Sequence, residues 1–133
     1  MGAWGAGSFE NDGAADWVHE FEQSGAAAVR SALETVSKLG DSEYLEAPEA
    51  SMAIAAAEIV AAARDGDQSS LSEGARECFS QFQASLTGSD LLELARRAVE
   101  RTRRQSELKD LWEESAERER WSREIDRLSS RLG

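Results

Sequence analysis

The apolar residues of this chain recur at helical spacing, and no stretch alternates in the way a half-buried strand would. Ala14, Trp17, Val18 and Phe21 fall at i, i+3, i+4 and i+7, one stripe of a helix that Asn11 or Asp12 caps and Ser24-Gly25 breaks. Val29, Leu33 and Val36 repeat the stripe on a second segment, predicted over 26–39 with Gly40 as its stop. Pro48 fits the first turn of a third helix, where its missing N–H costs nothing, and Gly66 ends it. Met52, Ala56, Ile59 and Ala63 are the expected stripe there, and the many small side chains let neighbouring backbones come close. Ser70 and Glu73 have the spacing of a capping box ahead of Ala75, Phe79, Phe82 and Leu86. Gly88 stops that helix and Ser89 is the predicted cap of a fifth, which runs to about Arg104. Its inward residues are Leu91, Ala95, Ala98 and Thr102, with Leu94 and Val99 beside them. Ser106 caps a short sixth segment bearing Leu108, Leu111 and Trp112, and Trp121, Ile125, Leu128 and Leu132 mark a last helix over 116–132. The expected fold is all-α: a compact bundle of six to seven helices with an irregular, glycine-rich N-terminal arm over 1–10, all in one helical domain spanning 1–133.

A chain of 133 residues can bury one sizeable core. One Cys, one His and one Pro exclude a disulfide scaffold, a Cys/His zinc cluster and a Pro-rich linker. The first residues lack the basic and apolar regions of a secretory leader, and no segment holds the roughly 18 consecutive apolar residues of a membrane helix. With the lone Cys78, this points to a cytoplasmic protein that meets no membrane. The formal net charge is −11. Phosphate binding needs a surplus of cations, so nucleic acid is not an expected ligand. The charge is also uneven: residues 1–66 carry twelve acids and three bases, residues 67–133 fourteen and twelve. Either the acidic half is a solvated surface that keeps the protein soluble, or it is a docking face for a basic partner.

Few residues offer chemistry. Asp16 and His19 stand at i, i+3, a spacing that puts two ligand types on one helix face, and Glu58 within the alanine-rich segment could add a third. That is the metal-site reading. The competing one leaves His19 on the surface and gives Glu58 an internal partner, an indole N–H or an Arg, because an unpaired charge on an apolar face is expensive. Cys78 lies beside Phe79 and reads as a buried, inert thiol. There is no Gly-x-Ser-x-Gly elbow and no phosphate-binding P-loop, no catalytic residue is assigned and no cofactor is expected. Arg96, Arg97, Arg101, Arg103 and Arg104 form a basic cluster whose i, i+4 partners, Glu93–Arg97 and Glu100–Arg104, predict an exposed salt-bridged face. Glu119–Arg123 and Arg120–Glu124 have the same spacing. The basic cluster could meet the acidic half of a second copy in a homodimer.

The opening Met1-Gly2-Ala3-Trp4-Gly5-Ala6-Gly7-Ser8-Phe9-Glu10-Asn11-Asp12, followed by Ala14, Asp16 and Trp17, resembles the start of a bacterial domain family of unknown function, M-G-x-W-G-x-G-x-F-x-N-D-x-A-x-D-W. The segments 55–58 and 107–113 are similar to later parts of its pattern. The resemblance implies a small helical bacterial protein and assigns no catalytic residue. The motif residues Trp4, Gly5, Gly7, Phe9, Asn11, Asp12, Asp16 and Trp17 read as structural. Glycines permit positive φ and close approach, so the arm is expected to kink, to tuck Trp4 and Phe9 into the bundle and to present Asn11 and Asp12 as a helix cap. The alternative is a glycine-lined cradle for an anion. The function expected is a non-enzymatic interaction domain that binds another protein, one with a basic surface, through an acidic face, in an antitoxin-like or immunity-like role. The rivals are a small carboxylate–metal protein or enzyme built on Asp16, His19 and Glu58, and an acidic mimic of nucleic acid.

Overall fold

The computed structural model describes residues 5–133. Seven α-helices follow in order: α1 (Asp12–Ser24), α2 (Ala26–Ser37), α3 (Ala47–Asp65), α4 (Glu73–Phe82), α5 (Ser89–Arg104), α6 (Glu107–Glu113) and α7 (Arg118–Leu132). A short 3-10 turn, Gln83–Leu86, extends α4, and no strand forms among the described residues. Among these residues no helix is long and apolar enough to cross a membrane. The all-α expectation therefore holds, with helices close to where the stripes and breakers place them.

The centre of the bundle is α3, which packs against α1, α2, α5, α6 and α7. Every residue from Ala53 to Ala63 is buried. The predicted Met52/Ala56/Ile59/Ala63 stripe is thus too narrow, and Met52 is only half-buried. A helix surrounded on all sides is apolar on all sides, and its alanines let five neighbours approach one cylinder. Around it, Trp17 stacks on Phe21 with ring centroids 5.8 Å apart, and Phe21 meets Phe82 at 5.5 Å, tying α1 to the end of α4. Trp112 stacks on Trp121 at 6.4 Å and ties α6 to α7.

The helix ends show where local sequence is decisive. The Asn11 side chain accepts the Ala14 N–H at 2.8 Å, so Asn11, not Asp12, caps α1. Ser106 accepts the Lys109 N–H at 3.0 Å and caps α6 as expected. Gly66 closes α3 in the left-handed region at φ 77°, and Gly25 turns α1 into α2 at φ 56°. Other ends differ from expectation. The cap of α4 is Ser72, which accepts the Ala75 N–H; Ser70 is displaced because Leu71 turns inward and is buried. Gly88, not Ser89, holds the cap position of α5. Helix α7 starts at Arg118 after a turn at 115–118 in place of residue 116. Helix α2 stops at Ser37, two residues before the predicted end, and Gly40 is not in the left-handed region. At this end the Gly40 N–H donates to Glu43 Oε1 (3.0 Å) and not to the Val36 carbonyl that a longer helix would use, and beyond it Arg101 Nη1 donates to the carbonyls of Leu39 (3.3 Å) and Gly40 (3.1 Å).

Candidate functional site

The glycine-rich arm closes on itself. Gly7 N–H donates to Glu10 Oε1 at 3.0 Å, and Glu10 N–H returns to the Gly7 carbonyl at 3.0 Å. A Cβ on Gly5 or Gly7 would run into the Glu10 carboxylate. Gly7 does not adopt positive φ, so the kink expected of it is not there, and what lies beside it is the end of the exposed Glu10 side chain. The Gly-x-Gly turn does receive an anion, but the anion belongs to the same chain. Phe9 is 6% exposed and packs into the core, as the arm reading requires. Trp4 lies outside the described residues.

The arm forms one wall of a polar cleft of about 500 Å³, opposite Ser69–Ser72 and the α7 residues Glu124 and Arg127. Arg127 Nη2 donates to Ser70 Oγ at 3.1 Å and Nη1 to Glu124 Oε2 at 3.4 Å. Ser70 is available for this contact because Ser72 took the cap. Nearby, Arg131 forms a fork with Asp65 (2.9 and 3.0 Å), donates to the Asp67 carbonyl at 2.9 Å and reaches Glu58 Oε2 at 3.4 Å. Glu58 is 4% exposed. Burial pushes its carboxyl above the ordinary range, against the pull of Arg131, Ser70 and Arg127. Asp65 moves the other way because it accepts from Arg131, and Asp67 does so because it accepts from Ser69. The cluster fastens α3, the 65–72 loop and α7 to one another, and its carboxylates and guanidinia are engaged with each other.

The three residues of the metal-site reading are not brought together. Asp16 and His19 share the outer face of α1, where the His19 side chain is 75% exposed and lies 3.9 Å from Glu22. Glu58 faces inward on α3 with Arg131 as its partner. Among the described residues no three His, Cys, Asp or Glu side chains converge on a possible metal position. Trp17 is buried and Asn11 caps α1. Cys78 is half-buried rather than buried; desolvation and the nearby Glu22 push its thiol up, away from the nucleophilic thiolate.

Asp12, Asp16 and Glu20 stand at i, i+4 and i+8 on α1 and are all exposed. At 1.5 Å rise per residue they form a stripe roughly 12 Å long. None forms an ion pair among the described residues. Several cations of the second half are paired within the chain: Arg97 with Glu93 (3.1 Å), Arg103 with Glu100 (2.9 Å) and Asp126 (3.4 Å), and Arg104 with Asp41 (3.7 Å). The expected Glu93–Arg97 pair forms. The expected Glu100–Arg104 pair is replaced by Glu100–Arg103, and the Arg120 and Glu124 pairs shift to Glu117 (3.8 Å) and Arg127 (3.4 Å). On a helix, i+3 lies as near as i+4, so spacing alone does not choose between them. Arg101 departs furthest from the predicted exposed cluster. It is 5% exposed and donates to the carbonyls of Gln105 (3.0 Å), Leu39, Gly40 and Glu43. Its position three residues after Ala98 and beside Thr102, on the apolar side of α5, was the available signal.

The N-terminal arm, the central alanine helix and the 107–113 segment all lie within one recognisable pattern, which matches residues 2–124. The chain belongs to the family described as a domain of unknown function, DUF4259. The expected membership of a family of unknown function is thereby met. No curated protein and no solved structure matches the chain. In this DUF4259 chain the outward carboxylates of α1 line one helix face without an ion pair among the described residues.

Proposed function

We propose that this domain is a non-enzymatic, cytoplasmic interaction module that engages a basic partner protein through the acidic outer face of its N-terminal half, in an antitoxin-like or immunity-like role. The observation that supports this reading is the stripe of Asp12, Asp16 and Glu20, exposed and without cation partners among the described residues. A solvated surface needs only charge of one sign. Here most cations of the second half already have carboxylate partners within the chain, while the α1 stripe has no cation partner among the described residues. Such a face speeds encounter with a cationic surface and selects against acidic ones.

Affinity purification from the native cell tests it, comparing the parent with a D12N/D16N/E20Q variant at low and high salt. The expected result is a basic protein held by the parent, released by salt and missing from the variant. Recovery of the same proteins with both chains rejects the acidic face as the docking surface.

A further inference from the structure

Tyr44 is the one large apolar side chain left exposed among the described residues, at 63%. It is also the single tyrosine of the chain. Glu43 and Glu46 flank it in sequence. Its phenol is pushed above the ordinary value, first by desolvation and then by the charges of Glu107 and Asp110, from the first turn of α6, and of Glu46. Glu43, Glu46 and Asp110 meet no cation among the described residues.

The segment that displays Tyr44 is fixed on both sides. Arg101 holds the carbonyls of Leu39, Gly40 and Glu43. Gln105 Nε2 donates to the Asp41 carbonyl at 3.1 Å. After Tyr44, Leu45 is buried and its carbonyl accepts the Glu107 N–H at 2.9 Å, while Glu107 Oε1 accepts the Ala47 N–H at 2.8 Å. Fixed backbone around an outward ring is what a binding anchor needs: the ring has two side-chain torsions, so little entropy is lost when it is covered.

We infer that Tyr44, with the carboxylates of Glu46 and Asp110 near it, is the anchor that receives an arginine side chain of the basic partner; this rests on the reading given above. These carboxylates repel an acidic surface and a second copy of this chain, whose net charge is −11. It also makes an apolar partner costly, because the carboxylates would lose water without compensation. A cation meets both attractions at once, the negative face of the phenol and the carboxylates beside it. A guanidinium suits the site better than an ammonium because it stacks flat on a ring while its fork still reaches a carboxylate.

The test uses the full chain and two synthetic decapeptides, one alternating arginine with glycine and one alternating lysine with glycine, with affinity read by calorimetry at low salt. The arginine peptide is expected to bind more tightly. Y44F should keep that preference, Y44A should weaken binding by about three- to thirty-fold, and E46Q and D110N should each weaken it less. Tyr44 is exposed, so these variants should melt with the parent. Peptide should also slow nitration of the single tyrosine. Unchanged binding by Y44A overturns the inference. If Y44A binds as the parent does while D12N/D16N/E20Q does not, the acidic-face reading survives and the Tyr44 anchor falls. If neither peptide binds the parent, both fall.

Discussion

Two arginines, Arg101 buried and Arg131 half-buried, do different work in this molecule, and single substitutions separate them. Arg131 compensates a carboxylate in the interior; Arg101 satisfies main-chain carbonyls and has no carboxylate partner. Replacing Glu58 by Gln removes the cost of an internal charge while Arg131 keeps its fork with Asp65. The folded state holds the Glu58 proton above the ordinary value of 4.5, so the parent loses stability as pH rises from there through its raised value. Urea melts across pH should therefore show E58Q gaining on the parent over that window and holding its advantage above it. A parent and variant whose stabilities run parallel with pH would contradict this. Arg131→Met should cost about 3–5 kcal/mol near neutrality, because Glu58 is left buried and charged. That loss should shrink in acid, where Glu58 is neutral. Arg101→Lys should fail to rescue Arg101→Met in the same urea melts, since an ammonium cannot fork to four carbonyls; each lost charged hydrogen bond is worth roughly 1.5–3 kcal/mol.

At the scale of elements, the connection between α1 and α2 is the least tolerant point. Gly25 sits at φ 56°, and a Cβ there would strike the Phe82 ring. Gly25→Ala therefore faces backbone strain and a clash together, and should lower stability by about 2–4 kcal/mol in chemical denaturation. Gly66→Ala has the same sign of φ but open space around it, so it should cost less. The difference between the two isolates the part due to Phe82. These breakers were legible because a glycine between two apolar stripes has a local reason to be there. The choice of Ser72 over Ser70 as the α4 cap was not legible. It depends on Leu71 finding the core, and that released Ser70 to Arg127. The early end of α2 was hidden too, since spacing does not say that the Gly40 N–H goes to the Glu43 side chain or that Arg101, more than 60 residues away, holds the carbonyls beyond it.

For the whole molecule, α3 sets the tolerance of the bundle. Its alanines are contact points for five neighbouring helices. Ala57→Leu, at a fully buried position, should destabilise by roughly 1–3 kcal/mol through overpacking, even though it adds apolar surface and costs little in helix propensity. A thermal melt checks it, and an unchanged or raised melting temperature would show slack where the fold has none. The candidate face was visible in the sequence as an excess of acids in the first half, but not as a surface. Whether that excess is compensated depends on which cations turn inward, and spacing along one helix does not say.

The sequence by itself determined the helical class, a count of six to seven helices and most of their limits, because periodicity, caps and glycine breakers act over a few residues. Only the tertiary structure decided that α3 would be enclosed, that Glu10 would occupy its own glycine turn, that Arg101 would leave the surface for four carbonyls and that Tyr44 would stay outside. Each of these is a choice between partners far apart in the chain. Burial makes such choices decisive, since a polar group removed from water must find whichever partner the packing brings to it.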